Sequence, residues 1–441
     1  MRRSSLLVVP AIALILAGCG TESTLDPSAG YGPTPTLPAP SRTLFPTVNI
    51  ADATGWPEGR TPTPAPGFRV QAFAAGLDHP RWLYRLPNGD ILVAETNAPP
   101  KPEGLDGGAG GGFRAWAQRL VMKRAGARVP SADRITLLRD ADADGVAETR
   151  TVLLENLTSP FGMALVGETL YVANADAVVA FPYRTGDTRI TAAPRKVADL
   201  PAGRNHHWTK SLVASADGSR LYVGVGSNSN IGENGMDEEV ERAAILAIDP
   251  ATGVRRIHAS GLRNPVGLAW QPDSGKLWVT VNERDELGND LVPDYMTSVT
   301  PGGFYGWPFS YYGQIVDTRV EPQDPARVAR ALRPDYALGA HTASLGLTFG
   351  EGALFPARYR GGAFVGQHGS WNRKPRNGYR VLFVPFANGA PAGPPEDILT
   401  GFLNDQDQAM GRPVGVQFDG VGALLVADDV GNVIWRVSPR T

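Results

Sequence analysis

The stretch Gly162-Met-Ala-Leu-Val-Gly-Glu-Thr-Leu-Tyr-Val-Ala-Asn174 carries the pattern from which the fold is predicted. In this pattern an apolar pair is followed by a short turn that contains glycine and then by an apolar strand. This arrangement is typical of a β-hairpin. The same pattern returns five more times in the chain. The other copies are 83–95, 212–224, 267–279, 346–366 and 415–427.

Six copies of one hairpin at uneven spacing predict an all-β fold, a six-bladed β-propeller whose blades carry loop insertions. A helical repeat array would show a 3.6-residue apolar period, which these segments lack. A β-sandwich is the structural alternative, but a repeated hairpin fits a radial array better. The 52 Gly and 38 Pro among 441 residues suit many tight turns between short strands.

The net charge and the N-terminal residues limit which partners and which cellular location are expected for the protein. The formal net charge is -2, which argues against nucleic acid as a partner because phosphate binding needs a basic face. Arg2 and Arg3 precede an apolar run over 6–16 that is too short to span a bilayer. Leu-Ala-Gly-Cys19 then resembles the bacterial lipobox. An ordinary cleaved signal with an incidental Cys is the alternative.

These features predict three regions. Residues 1–18 form a lipoprotein signal peptide, 19–66 a Pro-rich tether and 67–441 the propeller. Cys19 is the lipidated residue, and Gly20 rather than Asp follows it. We therefore expect an exported protein at the periplasmic face, held by the lipid alone at the outer membrane. Residues 113–124 are expected to form a short basic amphipathic helix.

An acidic loop offers a first candidate metal site. Asp140, Asp142 and Asp144, followed by Gly145, are spaced like the first half of a calcium loop. The second half is missing, because position 12 is Thr151 rather than Glu. The alternative is a plain hairpin turn between two strands.

Three further clusters could carry chemistry. The adjacent His206 and His207 offer a general base near neutral pH. Arg263 and Asn264 stand just before a strand, where a guanidinium can stabilise negative charge. An acidic loop over 281–286 offers oxygen ligands to Ca²⁺ and precedes Gly302-Gly-Phe-Tyr-Gly-Trp-Pro308. Each cluster alone is ambiguous.

The order of these clusters resembles the soluble glucose/sorbosone dehydrogenase family, nearest to its L-sorbosone dehydrogenase branch. The resemblance covers about Phe68 to Val437 and is most specific between Arg263 and Pro308. It implies a calcium-containing propeller that depends on pyrroloquinoline quinone (PQQ). The implied activity is oxidation of a sugar or sugar aldehyde, with an electron acceptor that the sequence does not name.

The resemblance also implies roles for individual residues. The family's base falls on His207, with His206 as the alternative, and Arg263 lies near the reactive quinone oxygen. The remaining cofactor contacts are implied for Asn264, His206, Arg412 and His368, the last in place of a family Lys. Calcium is implied at the main-chain carbonyls of Glu283 and Arg284.

Two other readings stay open from the sequence. The first is a propeller lipoprotein without catalysis that binds a protein or glycan partner, since propellers host many functions. The second is a metal-dependent lactonase on the same fold. That reading requires carboxylates and amides such as Glu95, Asn174 and Asp428 to converge on the propeller axis.

Overall fold

Six antiparallel sheets of four or five strands make up the computed structural model, which describes residues 22–41, 47–100 and 129–440. The innermost strand of each sheet contacts the innermost strands of the two neighbouring sheets, and these contacts close into a ring. The predicted six-bladed β-propeller is therefore confirmed. Each of the six hairpin copies forms the two inner strands of one blade.

The strands of each blade are given from the axis outward. Blade 1 is Pro80–Arg85, Ile91–Glu95, Arg134–Arg139 and Thr149–Leu154. Blade 2 is Met163–Val166, Thr169–Ala173, Ala177–Pro182 and Arg195–Asp199. Blade 3 is Leu212–Ala214, Leu221–Val225, Ala244–Ile248 and Arg255–Ser260.

Blades 4 and 5 each gain a short fifth strand from the N-terminal part of the chain. Blade 4 is Asn264–Trp270, Leu277–Asn282, Pro293–Ser298, Tyr336–Ala340 and Tyr31–Gly32. Blade 5 is Ser344–Phe349, Ala363–Gln367, Arg380–Val384, Glu396–Thr400 and Thr63–Pro64. Two small hairpins decorate them, Ser310–Tyr311 with Ile315–Val316 and Phe386–Ala387 with Ala390–Pro391.

Blade 6 closes the propeller by joining the two ends of the chain. Its strands are Pro413–Phe418, Leu424–Asp428, Val433–Pro439 and Phe68–Ala75. The outermost strand thus comes from the beginning of the domain and the three inner strands from its end. Closure in this way leaves no gap between the first and last blades.

Helical structure is minor in the described part of the chain. There are three 3₁₀ helices, Pro27–Gly30, Met236–Glu239 and Ala357–Tyr359, and one α-helical turn, Pro325–Val328. None of these helices is long and apolar enough to cross a bilayer. Three of the second strands, Ile91–Glu95, Ala363–Gln367 and Leu424–Asp428, are buried along their whole length and contribute to the core between blades.

Parts of the predicted Pro-rich tether, residues 19–66, pair with the propeller. Tyr31–Gly32 and Thr63–Pro64 extend the outer edges of two blades. Trp56 donates from Nε1 to Asp428 at 2.7 Å, and Ala51 is fully buried. An extended Pro-rich chain can do this because the open edge of a sheet offers unpaired backbone groups.

Candidate functional site

The topology collects the candidate residues at one end of the disc. All six inner strands run in the same direction, so their first residues and the last residues of the second strands share one rim. Arg263, Asn264 and Arg412 lie at the beginnings of inner strands. Glu283 and His368 follow the ends of second strands. The loops at this rim therefore bring together residues far apart in sequence.

His207 lies on the loop that enters the inner strand of blade 3, and its ring is half-buried. Its Nδ1 is 2.8 Å from the carbonyl oxygen of Ser227 and 3.1 Å from the hydroxyl. A carbonyl only accepts, so Nδ1 carries the proton and Nε2 keeps its lone pair. Burial, followed by the charges of Arg263 and His206, holds the pKa of His207 well below its usual value. His207 is thus set up as a neutral base.

His206 differs from its neighbour because its side chain is exposed. The two rings meet edge to face with centroids 4.7 Å apart. Of the pair, His207 has the protected surroundings and the fixed tautomer that a base needs.

Arg263 and Asn264 lie beside the His207 loop. The carbonyl of Arg263 accepts from the Ser227 amide at 2.8 Å, so Ser227 stands between Arg263 and His207. A Cβ added at Gly226 would lie 2.4 Å from Asn264 Oδ1 and 2.5 Å from His207 Cβ. Only glycine allows this approach of the two side chains.

Oxygen atoms surround the Arg263 guanidinium. It donates to the carbonyls of Asn230 at 3.2 Å and Glu283 at 2.7 Å, and to Asn230 Oδ1 at 3.0 Å. Asp285 Oδ2 lies 3.5 Å away. The proposed calcium-binding carbonyl of Glu283 therefore faces Arg263 within an oxygen-rich cage, a ligand set suited to a hard cation.

The side chain of Arg284 points away from this cage and is fully buried. It donates to the carbonyls of Pro308 and Ser310, both at 2.7 Å, and pairs with Asp317 at 3.2 Å. These bonds fix the loop that carries Glu283. The Gly-Gly-Phe-Tyr-Gly-Trp-Pro segment that the sequence singled out thus holds this loop from behind.

His368 belongs to a second charged group, centred on the buried Asp429. His368 Nε2 lies 2.9 Å from Asp429 Oδ2, and Arg81 Nη1 donates to the same oxygen at 2.6 Å. Burial would raise the pKa of Asp429, but His368, His79 and Arg81 hold it well below its usual value. Burial lowers the pKa of His368 to about 4. The carboxylate is therefore ionised and His368 neutral.

Arg412 lies next to this group and lowers the pKa of His368 further by its charge. Its guanidinium is 5.2 Å from the Tyr379 ring centroid and donates to the carbonyl of Ala51 at 3.1 Å. Among the described residues, the buried Nε atoms of Arg81 and Arg412 and Oδ1 of Asn264 have no hydrogen-bond partner. Buried arginine donors without a partner suit a ligand that carries carboxylates.

Contacts link these residues into two groups at the same rim, and we call the two groups together the polar ring. One group runs from Trp208 through Arg81 and Asp429 to His368, and the other runs from Arg263 through Asp285 to Asn372. Its members are Arg81, Trp208, Arg263, Asp285, His368, Asn372 and Asp429. Arg81 lies 5.8 Å from the Trp208 ring centroid, and Asn372 donates to Asp285 Oδ1 at 2.8 Å. The structure therefore brings His207, Arg263, Asn264, His368 and Arg412 to the same rim.

Sequence reasoning did not single out Arg81, Asp429 or Asn372, and it included Asp285 only as part of the acidic loop over 281–286. A usable signal for Arg81 is its place in His79-Pro-Arg81, beside a proline at the start of an inner strand. Arg412-Pro413 and Asn264-Pro265 carry a residue-proline pair at the same place in other blades, where the polar residue precedes the proline as His79 precedes Pro80. Asp429 and Asp285 follow second strands, as His368 does.

The residues of the lactonase reading are separate from one another in their contacts. Glu95 pairs with Arg134 at 2.7 Å within blade 1. Asp428 accepts from the indoles of Trp56 and Trp435 at 2.7 and 3.0 Å. Each carboxylate thus has a structural partner within its own blade or in the N-terminal segment.

The acidic loop has a fourth member that the sequence count overlooked. Asp140, Asp142, Asp144 and Glu148 offer carboxylate oxygens that lie within 4.8 Å of one another. In the described part of the chain, this is the one group of His, Cys, Asp or Glu with such spacing. The loop joins the two outer strands of blade 1, as the hairpin alternative expected. The expected helix over 113–124 and Cys19 lie outside the described residues.

Comparison with known proteins identifies relatives along most of the chain. A family model described as TrAA12-like matches residues 131–301 and 312–440. A protein of Borreliella burgdorferi is 27% identical over 296 residues, covering 65% of this chain and 77% of its own length. A pyrroloquinoline quinone-dependent pyranose dehydrogenase of Coprinopsis cinerea is 24% identical over 430 residues, or 84% of this chain. The alignment spans 53% of that dehydrogenase, about half its length.

Solved structures share the fold. The PQQ domain of the Coprinopsis cinerea pyranose dehydrogenase superposes with a TM-score of 0.68 at 21% identity, covering 88% of this chain and all of that domain. The calcium structure of the Trichoderma reesei AA12 enzyme gives 0.69 at 19% identity, covering 89% and 99%. At these identities the likeness shows the propeller architecture.

Proposed function

Because the chain belongs to the TrAA12-like family of PQQ-dependent sugar dehydrogenases, we propose that it oxidises a sugar with PQQ as its cofactor. The observation that carries this proposal is the polar ring at one rim of the propeller, with a neutral histidine and unpaired arginine donors beside it. The ring supplies cationic groups suited to an anionic cofactor, and His207 beside it supplies the base.

We assign the base to Nε2 of His207. The Nδ1 proton is held by the carbonyl of Ser227, and the Ser227 hydroxyl donates to the Ser229 carbonyl at 2.7 Å. Both contacts keep the lone pair on Nε2, where it can take the proton of a substrate hydroxyl. Bound PQQ would supply the acceptor for the hydride that leaves the same carbon.

Basic groups at this rim suit the carboxylates of PQQ. Arg81 and Arg412 each have an unpaired Nε donor. Neutral His368 donates from Nε2 to Asp429, which leaves its Nδ1 as an acceptor for the cofactor. Arg263 and Asn264 would lie near the quinone oxygen where negative charge develops. A calcium ion would be held by the carbonyls of Glu283 and Arg284 and would supply a Lewis acid that polarises the quinone carbonyl.

The substrate proposed is an aldose or a sugar aldehyde of the sorbosone type. An aldehyde adds water to form a geminal diol, which offers both a hydroxyl proton and a hydride on one carbon. His207 can therefore act on either substrate class by the same proton transfer.

The proposed location is the periplasmic face of the outer membrane, with lipid attachment at Cys19. The basic start, the apolar run and Leu-Ala-Gly-Cys19 support it. Fractionation of cells that express wild type or Cys19→Ser tests it. We expect the wild type with membranes and the variant in the soluble fraction; equal distribution of both would contradict lipid anchoring.

The test of activity uses purified protein mixed with PQQ and Ca²⁺. We expect calorimetry to detect PQQ binding, and a redox dye to be reduced with at least one member of a panel of sugars and sugar aldehydes. Absence of both signals would refute the dehydrogenase. PQQ binding that is weakened in Arg81→Gln and Arg412→Gln supports the assigned cofactor contacts, whereas unchanged binding would contradict them.

A further inference from the structure

Two buried basic side chains lie behind the loop that carries His207. Lys210 Nζ and Arg242 Nη2 both donate to Oδ1 of Asn205, at 3.1 and 2.9 Å. Lys210 is fully buried and Arg242 is 5% exposed. Burial, followed by the charge of Arg242, holds the pKa of Lys210 well below its usual value, whereas burial lowers the pKa of Arg242 to about 10. Two buried basic groups on one neutral amide oxygen are costly, so this arrangement calls for a role beyond packing.

The same groups tie down both segments that flank His207. Lys210 donates to the carbonyl of Trp208 at 3.0 Å, directly after His207. Arg242 donates to the carbonyls of Ala202 at 2.8 Å and Gly226 at 3.1 Å. Gly226 is the residue against which His207 Cβ packs. The Arg242 guanidinium therefore joins the loop that precedes His207 to Gly226, which follows the second strand of blade 3.

The electrostatics of His207 point the same way. Burial, Arg263 from blade 4, His206 from its own loop and Arg242 from blade 3 all lower its pKa. The neighbouring carboxylate, Glu239, is turned toward the Asn228 amide at 2.8 Å and the Ser229 hydroxyl. The charged groups around the imidazole are therefore cations, which favour its neutral form.

We propose that Asn205, Lys210 and Arg242 form a positioning cluster that fixes the His207 loop and that Arg242 keeps the imidazole in its neutral form. The inference rests on the proposed function in that His207 is the base. Arg242 acts through His207 and touches neither substrate nor cofactor. The left-handed backbone of Asn205, with φ of 43°, is held in place by the hydrogen bonds from Lys210 and Arg242.

The test titrates the histidines of the cofactor-free protein by NMR, with His207 assigned through His207→Gln. Loss of the positive charge in Arg242→Gln should raise the His207 pKa, because imidazolium is then repelled less. The acid limb of kcat/KM in the loaded enzyme should move to higher pH with it. Arg242→Lys, which keeps the charge, should leave both unchanged. The matched control is Arg255→Gln, which removes a cation of the same blade that pairs with Glu241.

Asn205→Asp is the second variant, because its side-chain oxygen can still accept from Lys210 and Arg242 and it adds a negative charge between them. It too should raise the His207 pKa. An unchanged His207 pKa in both Arg242→Gln and Asn205→Asp, or an equal shift in Arg255→Gln, would overturn the inference. A titration that responds as expected in a protein without sugar oxidation would support the cluster and refute the proposed function instead.

Discussion

At the scale of single residues, the site depends on which ionisable groups are kept neutral and which are kept charged. His207 and His368 are both neutral because burial disfavours the imidazolium form. Asp429 remains ionised because two histidines and Arg81 face it. The rim therefore contains a neutral histidine, His207, that can accept a proton, and an ionised carboxylate, Asp429, that binds Arg81.

Replacement of the base tests this assignment directly. We expect His207→Gln to lower kcat by about 10²- to 10⁴-fold, the usual contribution of a positioned general base. PQQ affinity, measured by calorimetry, should change little because the cofactor contacts remain. His206→Gln is the matched control, since His206 is exposed. Loss of activity in His206→Gln with retention in His207→Gln would move the base to His206.

Removal of the buried carboxylate should destabilise the fold in a pH-dependent way. Asp429→Asn leaves Arg81 without its counter-charge and should cost about 3–5 kcal/mol of unfolding free energy at pH 7. The folded pKa of Asp429 lies below the unfolded value of 3.8, so this stabilisation is present above pH 3.8 and is lost as the pH falls further. Urea unfolding between pH 3 and 7 measures it. The exposed Asp405→Asn serves as control; a pH-independent difference would contradict the ionised carboxylate.

At the scale of elements, glycines decide how closely the inner strands approach. Gly162, Gly267, Gly346 and Gly415 occupy the same position in four hairpin copies. A Cβ at Gly346 would lie 2.1 Å from the carbonyl oxygen of Val414 in the next blade. The other three face the backbone of the next blade at 2.2 to 2.8 Å. The repeated glycine in the sequence pattern is therefore an interblade packing requirement.

A methyl group at this position should force the blades apart. We expect Gly346→Ala to lower the free energy of unfolding by about 1–3 kcal/mol through overpacking. Chemical denaturation followed by tryptophan fluorescence measures the loss. Gly420→Ala is the control, because its nearest neighbour beyond the adjoining residues lies at 3.5 Å in an exposed turn. Equal stability of the two variants would refute the packing role.

At the scale of the whole molecule, the beginning of the domain closes the disc. Phe68–Ala75 pairs with Val433–Pro439, so the first and last strands of the propeller lie side by side. The preceding segment adds Tyr31–Gly32 and Thr63–Pro64 to the edges of blades 4 and 5. The N-terminal segment thus supports the outer edge, whereas Phe68–Ala75 completes the ring.

Truncation separates these two contributions. A chain that starts at residue 76 lacks the closing strand, and we expect it to lose cooperative thermal unfolding in circular dichroism. A chain that starts at residue 67 keeps that strand and should fold with a reduced Tm, since it lacks the edge strands and the Trp56–Asp428 bond. Cooperative unfolding of the shorter chain would show that closure by Phe68–Ala75 is dispensable.

The repeated hairpin, and with it the propeller, could be predicted from the sequence alone. Each hairpin joins strands only a few residues apart, so its turn and its apolar alternation are written locally. The position of His207 before an inner strand and of Arg263 before the next one was likewise visible, and a shared rim follows from parallel inner strands. The paired edge strands of the Pro-rich segment were not visible, because they depend on distant blade edges.

The side-chain contacts and protonation states at the rim could be identified only from the tertiary structure. Arg81 and Asp429 are 348 positions apart, and Asn372 and Asp285 are 87 apart, yet each pair is in hydrogen-bond contact. The neutral state of His207 arises from burial and from the charge of Arg263 on the next blade. Protonation states depend on distances between side chains in space, and a linear pattern does not contain those distances until the ring has closed.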